Sequence, residues 1–260
     1  MVLHVHEWGD ASAPTLVCLH GVTGHGERFR RLALERWASR FHVVAPDLRG
    51  HGRSGYEPPW TFETHVADVV ETMEARGIEQ ADIVGHSFGG RLALELAATH
   101  PARVRRIVLL DPAIQILAHV ALFSAEAELT EPIYNTAEEY ADRRGDGAAT
   151  PRELVLEDAK AHCEVLPDGR LRRRTSQPAV VSIYGELASE PPPPETLRAP
   201  TLLLHAPAYG LVREEQLAAY EGRVEAAELP GMHMVMWDAF DDVADAVERF
   251  LSLEDAGAER

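Results

Sequence analysis

The strongest constraint on this chain is a rhythm of short apolar runs alternating with helix-length segments. Residues 15–19, 41–45, 81–84 and 106–110 are apolar runs of four or five residues, bounded by Gly, Pro or Asp. Runs of this kind, which do not alternate polar with apolar, suit strands buried on both faces of a parallel sheet. Between them lie segments long enough for a helix, at 27–39, 62–76 and 88–100. This order predicts an α/β fold: an open, mostly parallel sheet with helices on both faces. Residues 3–8 are expected to add an edge strand.

After Asp111 the rhythm stops. Residues 112–199 are polar, rich in Glu and Arg, and broken by Gly145-Asp146-Gly147 and by the run Pro191 to Pro194, which should form a stiff polyproline connector. Ile114, Leu117, Ala118, Ala121 and Leu122 recur at helical spacing, so one helix there should carry a single apolar face. Further helices are expected near 151–163 and 177–187. The α/β rhythm then resumes, with strands at 201–205 and 224–229 and helices at 214–220 and 239–253. The expected organisation is a core formed by 1–111 and 200–260, interrupted by a helical cap at 112–199.

Within this frame, Gly85-His86-Ser87-Phe88-Gly89-Gly90 stands where an expected strand meets an expected helix. A Gly-x-Ser-x-Gly there makes a tight turn, and its glycines leave room for the backbone to pack around Ser87. The serine hydroxyl is then exposed at the C-terminal edge of the sheet, over the positive end of a helix. A serine is a weak nucleophile without a base in hydrogen-bond reach. Of the 13 histidines, His233 is placed for that role, after the last strand and before the last helix, at the same edge as Ser87. His20, His51 and His86 read as turn and loop residues.

With these motifs the chain resembles the α/β-hydrolase family, and within it the small bacterial serine esterases and lipases. The resemblance also rests on His20-Gly21-Val22-Thr23-Gly24, on Pro46-Asp47-Leu48-Arg49-Gly50-His51-Gly52-Arg53-Ser54, and on Gly231-Met232-His233. It implies cleavage of carboxylic esters through an acyl-enzyme, with no cofactor and a small-molecule ester as substrate. It also implies an oxyanion hole made by the backbone N–H groups of Val22 and Phe88, and a scaffolding role for Asp47 and Arg49. In this family the triad's acid most often follows the strand at 201–205, yet Tyr209 stands at that place here and no carboxylate lies between Thr201 and Arg213. Asp111, at the end of the strand 106–110, is the expected replacement, since some relatives take their acid from there. Asp238 and Asp241 are the alternatives. Trp60, Ile114 and Leu117, together with Phe88, are expected to wall a pocket for an uncharged, lipophilic acyl group.

The same triad also serves thioesterases and C–C bond hydrolases, and a hydrolase fold can persist as a non-catalytic binding protein. Composition narrows the partners. A formal charge of −17 argues against nucleic acid, and the Arg170, Arg172, Arg173, Arg174 cluster reads as ion-paired surface. Cys18 and Cys163 are too few for a disulfide framework; Cys18 reads as inert core and Cys163 as a candidate exposed thiol. No His/Cys/carboxylate set has the spacing of a metal site. No run suits stable membrane insertion and no export signal is read at the N-terminus, so a cytoplasmic location is expected.

Overall fold

The structure, a computed structural model, describes residues 1–130, 133–144 and 150–252. The elements of the first half are β1 (Val5–Trp8), β2 (Thr15–Leu19), α1 (Arg30–Leu32, between a 3₁₀ turn at Gly26–Phe29 and a π-turn at Ala33–Trp37), β3 (His42–Pro46), α2 (Phe62–Ala75), β4 (Ala81–His86), α3 (Phe88–Thr99) and β5 (Val104–Leu110). Then come α4 (Ala118–Ala127), β6 (Ile133–Tyr134), α5 (Ala137–Arg144), α6 (Arg152–His162), β7 (Cys163–Val165), β8 (Leu171–Arg173) and α7 (Gln177–Leu187). The chain closes with β9 (Thr201–His205), α8 (Glu214–Ala219), β10 (Glu225–Glu228), α9 (Val235–Asp238) and α10 (Phe240–Ser252). The expected Gly145-Asp146-Gly147 break and the last residue of the 239–253 helix lie outside the described residues.

Seven strands form one sheet in the order β1-β3-β2-β4-β5-β9-β10, with only β1 antiparallel to its neighbour. The five inner strands, β3, β2, β4, β5 and β9, read as largely apolar runs because both faces are covered, while the edge strands β1 and β10 are more exposed. Val17, Leu19 and Val44 point into a core shared with Phe62, Val66 and Met73 of α2 and with Leu92 and Leu96 of α3. Leu16, Cys18, Val43 and Ala45 point the other way, against Phe29, Leu32 and Trp37 and against Val243, Val247 and Leu251 of α10. Adjacent residues of one strand thus serve opposite cores.

Between β5 and β9 lie α4–α7 and a second, three-stranded antiparallel sheet in the order β6-β8-β7. Its strands are too short for a period to show in the sequence. Tyr134, Tyr140, Val155, Ala159 and Cys163 form a small core of their own there. The helix expected from Ile114 to Leu122 starts only at Ala118. Ile114 belongs to the main core, while Leu117, Leu122 and Phe123 are exposed, so those apolar residues do not share one buried face.

Arg91 ties this segment to α3 at both its ends. The side chain is almost wholly buried and donates to the carbonyls of Ile114 (2.6 Å) and Glu190 (2.8 Å), and to Glu95 Oε1 (2.9 Å). The proline run therefore begins at a fixed anchor, and its last member opens a 3₁₀ turn at Pro194–Thr196. No helix among the described residues is long and apolar enough to cross a membrane.

Candidate active site

Ser87 sits between β4 and α3 with φ 55° and ψ −118°, outside the ordinary regions for an L-residue. The turn is tight because α3 lies hard against the sheet. A Cβ on Gly89 would come within 2.0 Å of the Leu19 carbonyl oxygen, and one on Gly85 within 2.3 Å of the Gly89 carbonyl oxygen. Three non-glycine residues have positive φ among those described, namely Thr23, Ser87 and Asp111. All three stand at the C-terminal edge of the sheet. Such strain persists only where the surrounding structure over-determines it, and it gathers at functional sites.

Register explains how Ser87 and Asp111 become neighbours. His86 of β4 pairs with Leu110 of β5, so the next residue of each strand leaves the sheet side by side. Asp111 is fully buried, its N–H donates to the Leu204 carbonyl (2.7 Å), and its Oδ1 accepts from the Ala206 N–H (3.1 Å). Its Oδ2 accepts from Nδ1 of His233 at 2.6 Å. A carboxylate at that distance fixes the tautomer: Nδ1 carries the proton and Nε2 keeps its lone pair.

His233 is held from two further sides. The His86 ring donates from Nε2 to the His233 carbonyl (2.9 Å). Burial, with the neighbouring His233 second, pushes the His86 pKa well below its ordinary value, so His86 is neutral. Tyr209 lies flat on the His233 ring, with centroids 4.6 Å apart and planes 13° apart. The residue standing where an acid was expected thus supports the imidazole by its face. Nothing in the sequence signals that contact.

The loop after β2 is fixed by two histidines. His20 donates from Nδ1 to the Gly21 carbonyl (2.8 Å) and accepts from the Leu48 N–H (2.9 Å). His51 donates from Nδ1 to the Arg49 carbonyl (3.0 Å) and accepts from the Thr23 N–H (3.3 Å). Asp47 and Arg49 hold the next loop. Asp47 accepts from the N–H groups of Gly26 (2.8 Å) and Arg53 (2.9 Å), and Arg49 forms a buried fork with Asp68 at 2.6 and 2.7 Å. Burial raises the pKa of Asp47, but the His6 ring and these N–H donors outweigh it and hold the carboxyl well below the usual range. Among the described residues neither the Val22 nor the Phe88 N–H donates to a protein acceptor.

Ser87 and His233 open onto one cavity of about 230 Å³, which Gly21, Val22 and Thr23 also line. Its apolar lining includes Ala113, Ile116, Leu187, Leu211, Met234 and Trp237, and Arg28, Arg144, Asp158, Tyr140 and Tyr184 add a polar side. Trp60, Ile114 and Leu117 are not part of this lining. Trp60 lies beside Gly50, Ile114 is in the main core, and Leu117 faces solvent. The Phe88 ring packs away from the cavity against Phe62 and His65. The lining is therefore more polar than a lipophilic acyl pocket, because α5, α6 and α7 place charged and phenolic side chains there.

The alternative acids are engaged elsewhere. Asp238 accepts from Thr150 Oγ1 (2.8 Å) and the Met232 N–H (2.9 Å), and Asp241 is an exposed partner of Arg36. Arg170, Arg172 and Arg173 are ion-paired with Asp168, Glu164 and Glu128. Cys163 is buried and not an exposed thiol; burial pushes its pKa up to about 12. His4, His6 and Asp47 bring three donor atoms within 4.8 Å of one another, outside the cavity lining. The sequence hides that cluster, because β1 meets the end of β3 only in the folded sheet.

Comparison with known proteins agrees with this architecture. Residues 14–170 match the family model described as the alpha/beta hydrolase fold. The chain is 35% identical over 229 residues to lipase LipV of Mycobacterium tuberculosis, covering 86% of each chain. It is 28% identical over 262 residues to the sn-1-specific diacylglycerol lipase ABHD11 of Mus musculus, covering 94% of this chain and 83% of that one. Among solved structures, E-2-(acetamidomethylene)succinate hydrolase superposes with a TM-score of 0.86 at 23% identity, covering 96% of this chain and 95% of the other, a likeness of fold. The chain belongs to the alpha/beta hydrolase family.

Proposed function

We propose that the protein cleaves carboxylic esters through an acyl-enzyme on Ser87. The observation that carries this reading is the 2.6 Å bond between His233 Nδ1 and Asp111 Oδ2, on the same cavity as Ser87. With Nδ1 protonated, Nε2 of His233 takes the Ser87 proton as the oxygen attacks the ester carbonyl. Asp111 orients the ring and stabilises the imidazolium. The N–H groups of Val22 and Phe88 receive the oxyanion, and His233 returns the proton to the leaving alkoxide. Water, deprotonated by His233, then releases the acid. Segment 112–199 acts as a cap that shapes the pocket, and a cavity below the roughly 300–1,000 Å³ of drug-sized sites suits a small ester.

The test is hydrolysis of 4-nitrophenyl acyl esters together with labelling by a fluorophosphonate. Wild type is expected to turn over and to label on Ser87, while Ser87→Ala does neither. Turnover retained in Ser87→Ala, or no ester cleavage by wild type, would overturn the reading.

A further inference from the structure

Two guanidinium groups in the cap share a single carboxylate. Arg144 Nη1 meets Glu128 Oε1 at 3.0 Å, and Arg173 Nη2 donates to Glu128 Oε2. Arg144 also donates from Nη2 to Thr23 Oγ1 at 2.8 Å, which places its head group at the loop carrying Val22. Arg173 has a side chain only 2% exposed, and its Nε and Nη1 have no hydrogen-bond partner. The carboxylate that does line the cavity, Asp158, is committed to Arg28, His25 and Tyr140. His51 and His162 do not alter the balance as further cations, because burial, with Arg173 among the lesser causes, keeps both imidazoles neutral. Among the described residues the Arg144–Glu128–Arg173 group therefore holds one positive charge without a counter-ion.

A buried charge without a partner is strongly unfavourable, and a buried donor without an acceptor adds to that. Arginine donors arranged as a fork match a carboxylate in shape as well as charge. Arg144 lines the same cavity as Ser87, and so does Tyr184, which feels Glu128, Arg144 and Arg173 electrostatically. Glu128 and Arg173 are not part of that lining, so the group's surplus charge meets the cavity through Arg144.

We propose that the group around Arg144, Glu128 and Arg173 is a substrate-anion subsite, so that the preferred ester carries a free carboxylate as well as the scissile bond. This rests on the ester-hydrolase reading and narrows it. The acidic group enters as a carboxylate, supplies the missing counter-ion, and holds the ester over Ser87 by its far end. Glu128 sets the strength of the subsite, since it cancels half of the charge of the two arginines.

The experiment compares matched pairs of esters. On the acyl side the pair is 4-nitrophenyl hydrogen adipate against 4-nitrophenyl hexanoate; on the alcohol side it is 4-acetoxybenzoate against its methyl ester. Wild type is expected to favour the carboxylate-bearing member of one pair by tenfold or more in kcat/KM. Arg173→Met and Arg144→Met should bring that ratio close to one, and Glu128→Gln should raise it, with folding of each variant checked by thermal melting. The opposite signs distinguish an anion subsite from general damage to the cap. Binding of the same esters to Ser87→Ala, measured by calorimetry, separates the subsite from the chemistry. If Ser87→Ala binds the acidic member tighter while wild type cleaves neither, the subsite stands and the ester reading falls. If wild type cleaves the neutral members equally well or better, and binding shows no preference, the subsite is overturned and the ester reading stands.

Discussion

Tyr209 stacks on the imidazole of His233, with ring centroids 4.6 Å apart and planes 13° apart. The Asp111 bond fixes where Nδ1 points, and the phenol ring restricts rotation of the imidazole about that bond. Tyr209→Leu removes the flat support and leaves the bond in place. A stacked aromatic pair contributes roughly 0.5–1.5 kcal/mol, so kcat/KM for ester hydrolysis is expected to fall about 2–10-fold. An unchanged kcat/KM would show that the stack does not hold the ring for catalysis.

Asp111→Asn tests the role proposed for Asp111 as the acid that orients His233. The asparagine oxygen can keep the bond from the Ala206 N–H that Oδ1 now accepts at 3.1 Å. Its amide then faces His233 as a donor, which reverses the imidazole tautomer and removes the lone pair needed at Nε2. A loss of about 10⁴ in kcat is expected, with the fold retained. Turnover within tenfold of wild type would transfer the role to another carboxylate.

Gly21→Ala probes how closely the loop proposed to hold the oxyanion approaches Ser87. An added methyl would lie 2.9 Å from Ser87 Cβ and 3.3 Å from its Oγ. Either the loop or the serine must move, and a displacement near 1 Å lowers rates by about 10². Ester turnover is expected to drop by that order while circular dichroism stays that of wild type. Full activity would mean that the loop adapts without harm.

Two buried histidines make stability depend on pH. Burial is the leading cause that lowers the pKa of His51 to about 4 and that of His65 to about 3. In the unfolded chain both titrate near 6.5. Between these values the unfolded state binds protons that the folded state refuses, so stability is full above about pH 6.5 and falls as pH drops toward 4. From pH 7.5 to pH 5.0 each contributes a loss of about 2 kcal/mol, measurable by urea unfolding at the two pH values. His65→Leu should reduce that pH slope; a slope equal to that of wild type would remove His65 from the account.

The buried Arg91 staple is testable by stability alone. Arg91→Met leaves the carbonyls of Ile114 and Glu190 without their donor and Glu95 without its cation. Leaving buried acceptors unsatisfied costs about 1–3 kcal/mol each. Urea unfolding is expected to show a loss of at least about 2 kcal/mol, and a change below about 0.5 kcal/mol would show that water replaces the guanidinium.

The sheet was legible because its inner strands are buried on both faces, which leaves largely apolar runs, and because Gly-x-Ser-x-Gly falls at the junction of one such run with a helix. The positions of Ser87, Asp111 and His233 at strand ends were legible for the same reason. The cap was not. Its strands β6, β7 and β8 are too short to carry a period, and its helices turn charged residues inward. Arg28, Arg144 and Arg173 look like surface residues in the sequence, since only distant carboxylates on other elements make their burial tolerable.

Sequence alone determined the order of elements, the elbow at Ser87 and the absence of a carboxylate near Tyr209, because each is a local pattern of residue type and spacing. Tertiary structure decided what those residues meet. Strand register set Asp111 beside Ser87, a loop after β10 brought His233 to Asp111, and Tyr209 turned its ring onto the imidazole instead of supplying an acid. The polar wall of the cavity arose the same way: ion pairs such as Arg28–Asp158, separated by 130 residues in the chain, form only after the main sheet and the cap have met.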